Sequence, residues 1–148
     1  MKNTNSQPEL SFFRPDIQAP TLSIPFFSDS CAAGFPSPAQ DFVEQELDLN
    51  ALCIQHPAAT FFVRASGNSM QELGLMDGDI MIVDRSEKAV HGDVVIAEID
   101  GEFTVKRLQL LPRPALVPMN SAFPVMYPDE LQLFGVVMHF VHSTRARR

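Results

Sequence analysis

Residues 94–110 read VVIAEIDGEFTVKRLQL. Two runs of β-branched and aromatic residues flank Asp100-Gly101, and a tight hairpin turn needs the positive φ that such a pair tolerates. The segment is predicted to form two antiparallel strands, 94–99 and 102–110. On the second, period-two alternation puts Phe103, Val105 and Arg107 on one face and Thr104, Lys106 and Leu108 on the other.

Similar short runs lie on both sides: TFFVRA at 60–65, IMIV at 80–83, ALV at 115–117 and LFGVVMHFV at 133–141. Turn residues separate them and no long helical pattern intervenes. That argues for a mostly β body, a folded-over antiparallel sheet or partial barrel, rather than a parallel sheet. Upstream, Ser37-Pro38-Ala39-Gln40 reads as a helix start with Ser37 as N-cap, and Phe42, Val43 and Leu47 give that helix an apolar side. A second short helix through Leu49, Leu52 and Cys53 is expected to stop at Pro57. Before residue 37, Pro8, Pro15, Pro20, Pro25 and Pro36 exclude regular helix. Leu22, Ile24, Phe26 and Phe27 suit an extended arm that lies along a folded body.

With 148 residues, 45% of them hydrophobic and 12 of them Phe, the chain can bury one sizeable core without metals or disulfides. Two cysteines, Cys31 and Cys53, are too few for a disulfide framework and suit a reducing compartment as ordinary thiols. The net charge of -7 disfavours direct binding to phosphates, so any link to nucleic acid is expected to run through a protein partner. No apolar run reaches the ~18–20 residues of a membrane span, and the N-terminus lacks the pattern of a secretion signal. The expectation is a cytoplasmic protein with no membrane contact.

Between the strands at 60–65 and 80–83 lies Ser66-Gly67-Asn68-Ser69-Met70, a turn of small residues around a serine. A serine needs a neighbouring base to act as nucleophile. The residues alone leave that base open among His56, His91, His139, His142 and Lys106, although no Gly-x-Ser-x-Gly elbow is present. Lysines on strands are mostly solvated. A lysine turned into the body, however, loses hydration, and its pKa falls far enough for the neutral amine to accept a serine proton. Asp77-Gly78-Asp79 and His91-Gly92-Asp93 lack a full calcium-loop pattern and read as turns. Neither a metal nor another cofactor is expected.

SGNSM around Ser69, the following GLMDGD at 74–79 and GEFTVKRLQL around Lys106 resemble the Ser and Lys boxes of the LexA and UmuD group of self-cleaving proteins. FPSPAQDFVEQELDLN at 35–50, IQHPAATFFV at 54–63, PMNSA at 118–122 and FGVVMH at 134–139 resemble the UmuD family specifically. The resemblance runs from about Ile24 to Val141.

It implies the fold of the LexA C-terminal domain and a serine peptidase with a Ser69-Lys106 dyad that acts on itself. Backbone N–H groups at the turn, that of Ser69 among them, would meet the oxyanion. The implied cut is at Ala33-Gly34, which divides the chain into a cleavable arm, 1–33, and a catalytic and polymerase-interaction domain, 34–148. An alanine stands where some relatives carry cysteine before the glycine. The resemblance further implies a homodimer, stimulation of cleavage by the RecA filament on single-stranded DNA, and a processed subunit that joins a UmuC-like polymerase in error-prone translesion synthesis of the SOS response. A tethered, extended arm suits a substrate, because it is held at high effective concentration.

Three other readings share parts of this pattern. A LexA-like repressor would need a helix-turn-helix domain of ~60 residues before the cut, with basic residues for phosphates. Here 33 residues precede Gly34, with Lys2 and Arg14 their basic members. A leader peptidase would need a membrane anchor. An accessory polymerase subunit with an inactive site differs only in the geometry and pKa of Lys106. The apolar strand at 133–141 is the expected part of a dimer contact.

Overall fold

The computed structural model describes residues 10–27 and 43–145. The chain divides into two compact units. The smaller, Asp16–Gln55, holds two antiparallel strands, β2 (Ile24–Phe27) and β3 (Val43–Leu47), followed by helix α1 (Leu49–Cys53). The larger takes in the chain up to Pro15 and again from His56. It carries β1 (Ser11–Phe13), β4 (Thr60–Arg64), β5 (Ile80–Asp84), β6 (Val94–Ile99), β7 (Glu102–Gln109), β8 (Ala115–Val117) and β9 (Gln132–Val141).

These seven strands form one antiparallel sheet in the order β1-β4-β5-β9-β6-β7-β8. The sheet stays open, with β1 and β8 at its ends, so the expected folded-over antiparallel architecture is present without barrel closure. The turn at 100–101 behaves as the sequence demands: Asp100 and Gly101 both have positive φ, 51° and 80°, and Val95 faces Lys106 across the resulting hairpin.

The β4-to-β9 strands fall within a residue or two of their expected positions because each carries its own apolar run. Strand β6 feeds two cores. Ile96 belongs to one with Val63, Met81 and Val83, while Val95 and Ala97 belong to another with Leu108 and Leu116. Alternate residues of a strand point to opposite faces, so the sheet is buried on both sides here. That explains why VVIA is continuous rather than alternating. Each fully buried aliphatic side chain contributes about 1.5–3 kcal/mol.

One expectation fails. Val43 and Leu47, assigned to the apolar side of a helix begun at Ser37, lie on strand β3, where Val43 faces Phe27 and Leu47 faces Ile24. The capping signature is local, whereas strand formation here is set by a partner some twenty residues away, and tertiary pairing overrides helix propensity. Ser37 itself lies outside the described residues. The second expected helix is present as α1, and the chain leaves it well before Pro57, which opens a short 3₁₀ turn.

Of the two strands of the arm, β2 falls in the stretch read as extended, whereas β1 had no clear signal. Strand β1 adds to the outer edge of β4, with Phe12 opposite Val63. The Phe12 ring packs edge-on against Phe103 and Phe134, with centroids 5.2 and 5.0 Å away. Leu22 and Ile24 of the smaller unit are exposed.

Candidate active site

A cleft of about 600 Å³ opens on the larger unit. Ser69, Thr104 and Lys106 line it together with Phe103, Phe123 and Met126. Ser69 lies in the loop between β4 and β5, and Lys106 comes from the middle of β7. The sheet order separates those strands, yet the loop folds back so that Lys106 Nζ lies 3.1 Å from Ser69 Oγ.

Strand alternation puts Lys106 on the same face as the apolar Leu108, and it is 7% exposed. Burial pushes its pKa down to about 8. Its amine has three partners: Ser69 Oγ, Thr104 Oγ1 at 2.7 Å and the Val105 carbonyl at 3.1 Å. An ammonium donates to all three. A neutral amine keeps two N–H bonds, which Thr104 and Val105 can accept, and its lone pair is then left for the hydroxyl proton of Ser69. The same geometry therefore serves both protonation states.

The Ser69 loop is held from two sides. Asp77 Oδ1 accepts the Gly67 N–H at 2.8 Å, and Gly78 N–H donates to the Ala65 carbonyl. On the other side the Met119 N–H donates to the Ser69 carbonyl at 2.7 Å, and the Glu72 N–H donates to the Met119 carbonyl at 2.7 Å. Asn120 Nδ2 donates to the Asn68 carbonyl at 2.9 Å. Gly67, Gly74 and Gly78 supply the positive φ of the turns, at 83°, 93° and 87°.

The histidines are engaged elsewhere. His56 Nδ1 contacts Asp84 Oδ2 at 2.5 Å, and His142 Nδ1 contacts Asp79 Oδ1 at 2.6 Å. His91 Nδ1 accepts the Leu110 N–H, and His139 is an exposed residue of β9. Among the described residues, none of the four lines the cleft. The two acidic turns use their carboxylates on backbone: Asp77 on Gly67, and Asp93 Oδ2 on the Val90 N–H. Cys53 is half-buried, and burial pushes its thiol pKa up.

Ala33, Gly34 and Cys31 lie outside the described residues. In the chain, the Ala33-Gly34 bond falls in the connection between β2 and β3. No helix of the described residues is long and apolar enough to cross a membrane. Thr104 and Asn120 were not singled out from the sequence. Thr104 shares a strand face with Lys106, a signal that was available. Asn120 stood in PMNSA with nothing to indicate what its side chain reaches.

Residues 25–138 match the Peptidase S24-like family. The chain is 61% identical to Protein SamA of Salmonella typhimurium over 132 residues, which are 89% of this chain and 94% of that protein. It is also 61% identical to Protein ImpA of Escherichia coli over 126 residues, 84% of this chain and 87% of ImpA. It is 53% identical to Protein MucA of Escherichia coli over 121 residues, 79% of this chain and 83% of MucA.

Proposed function

Because this chain belongs to the S24-like peptidase family, in its UmuD branch of SOS mutagenesis proteins, we propose that it cuts itself once, at Ala33-Gly34, with Ser69 as nucleophile and Lys106 as general base. The observation that carries this is the 3.1 Å contact between Ser69 Oγ and a buried Lys106 whose pKa is held near 8.

Ser69 Oγ attacks the Ala33 carbonyl carbon while its proton passes to the neutral Lys106 Nζ. The carbonyl oxygen becomes an oxyanion, met by the Ser69 N–H, which has no hydrogen-bond partner among the described residues. Collapse breaks the C–N bond, and the Lys106 ammonium returns its proton to the leaving Gly34 amine. Lys106, neutral again, takes a proton from water, and the resulting hydroxide hydrolyses the Ser69 ester. The products are residues 1–33 and 34–148.

The reading extends to partners. A filament of RecA on single-stranded DNA stimulates the cut, and the processed protein, a homodimer in the cytoplasm, joins a UmuC-like polymerase in translesion synthesis. The net charge of -7 supports contact with proteins rather than with DNA. Strand β9 has both edges paired within the sheet, so a dimer contact there would use its exposed side chains Leu133, Met138 and Val141.

The test is intact mass after incubation with RecA, ATP and single-stranded DNA, beside Ser69→Ala and Lys106→Ala. A fragment that begins at Gly34 in the wild type alone is the expected result. An uncut wild type, at alkaline pH as well, removes the peptidase reading.

A further inference from the structure

The segment after β8 does two things at once. Phe123, Pro124 and Met126 line the cleft, and Met119 and Asn120, a few residues earlier, are bonded to the loop that carries Ser69. Asn120 is half-buried, and its side chain is used at both ends: Nδ2 donates to the Asn68 carbonyl at 2.9 Å, and Oδ1 accepts the Ala122 N–H at 3.0 Å. It therefore ties the cleft wall to the nucleophile loop across 52 positions of sequence.

The bonded atom is informative. In a planar trans peptide the C=O and N–H point in opposite directions. Holding the Asn68 carbonyl holds the Asn68–Ser69 peptide plane, and so fixes the direction of the Ser69 N–H, away from Asn120. The Met119 N–H does the same for the next plane through the Ser69 carbonyl, and so orients the Met70 N–H. The Gln71 N–H also reaches the Asn68 carbonyl, at 3.2 Å, but it belongs to the same local turn and can shift with it. Asn120 anchors that plane from outside the loop.

We propose that Asn120 is a positioning residue for the self-cleavage reaction, one that sets the orientation of the Ser69 N–H toward the developing oxyanion while leaving the Ser69-Lys106 proton transfer untouched. This rests on the reading of the protein as a self-cleaving peptidase. Asn120 touches neither Ser69 Oγ nor Lys106 Nζ, so its loss acts on the stabilisation of the intermediate and not on the base.

The pH dependence of unstimulated self-cleavage separates these effects in wild type, Asn120→Ala and Asn120→Asp. Asn120→Asp keeps the acceptor for the Ala122 N–H and exchanges the donor to Asn68 for a carboxylate oxygen that repels that carbonyl, so it guards against a loss of the Ala122 contact in Asn120→Ala. The expected result is a plateau rate lower by ~10-fold or more in both variants, since losing an oxyanion donor outright costs about 10²–10³, with the midpoint of the pH profile unchanged in the neutral Asn120→Ala and moved only upward, by the added charge, in Asn120→Asp. Plateau rates within twofold of wild type overturn the proposal, as does a loss that comes with a shifted midpoint in Asn120→Ala or with a lowered melting temperature in both variants. A wild type that does not cut at any pH overturns the peptidase reading itself, and this inference with it.

Discussion

The Thr104 hydroxyl lies closer to Lys106 Nζ, at 2.7 Å, than Ser69 Oγ does, at 3.1 Å. The two side chains stand two residues apart on one face of β7, so the strand itself sets their spacing. Thr104 holds one amine proton and thereby turns the lone pair toward Ser69.

The rate of unstimulated cleavage is expected to rise with pH through about 8, the value of the Lys106 pKa, and then level off. Thr104→Val, close in shape but without the hydroxyl, is expected to cut at ~1/10 of the wild-type plateau rate, since a misaligned base loses part of the 10²–10⁴-fold that general base catalysis supplies. Time courses by gel between pH 6 and 10.5 check both expectations. A wild-type rate that is flat across pH 7–9 would remove Lys106 as the titrating base.

Folding stability carries the same signature, independent of any cut. The folded pKa of Lys106 lies below the ordinary lysine value of 10.5. Between about pH 8 and 10.5 the unfolded chain therefore binds the proton and the folded one does not, so stability rises with pH in that window. Against Lys106→Met, which cannot titrate, a Ser69→Ala background should gain up to about 3 kcal/mol from pH 7 to 10.5. Urea unfolding at the two pH values measures it, and parallel stabilities would show that the amine is not desolvated.

Gly135 sits where β9 passes β5, and a Cβ there would lie 2.8 Å from Val83 Cγ1 and 3.1 Å from the Asp84 carbonyl. Val83 is fully buried and the Asp84 backbone is paired to β9, so neither neighbour has room to give way. Gly135→Ala should destabilise the fold by about 1–3 kcal/mol through overpacking. A urea midpoint equal to that of the wild type would contradict the close approach.

His56 and Asp84 form a pair whose strength follows pH. The hydrogen bond and charge of Asp84 raise the pKa of His56 above 6.5. Burial pushes Asp84 up, but bonds from Ser86 and His56 outweigh it and leave its pKa below 3.8. The histidine contribution is complete below pH 6.5 and fades as pH climbs through the raised value; the aspartate contribution is complete above pH 3.8 and fades as pH falls through the lowered value. His56→Gln should thus lower the melting temperature most between about pH 4 and 6.5, and much less at pH 9. Melting curves that differ by the same amount at pH 6 and pH 9 would rule out the charged pair.

The strands from Thr60 onward were legible because each carries its own apolar run and its own turn residues. Strand β1 was not: three residues, Ser11–Phe13, are too few for a periodicity, and what makes them a strand is the open edge of β4. Strand β3 was read as helix for the same kind of reason, since its partner β2 lies upstream, beyond the reach of any local pattern. The site divides similarly. Alternation placed Lys106 beside Thr104, but the amine lies in a cleft that residues 66–69 and the segment after β8 help to line. No pattern within β7 encodes those walls.

Strand β1 stands on the N-terminal side of Ala33-Gly34, and Leu10, just before it, lines the same cleft as Ser69. While the chain is whole, the tether holds β1 at its edge at roughly millimolar effective concentration. Once the proposed cut is made, β1 becomes a separate peptide and three residues of ladder must compete with dilution. The seven-stranded sheet then ends at β4, and Phe103 and Phe134 lose the Phe12 ring. The cut is not reversed, so the sheet keeps a lasting memory of a single chemical event.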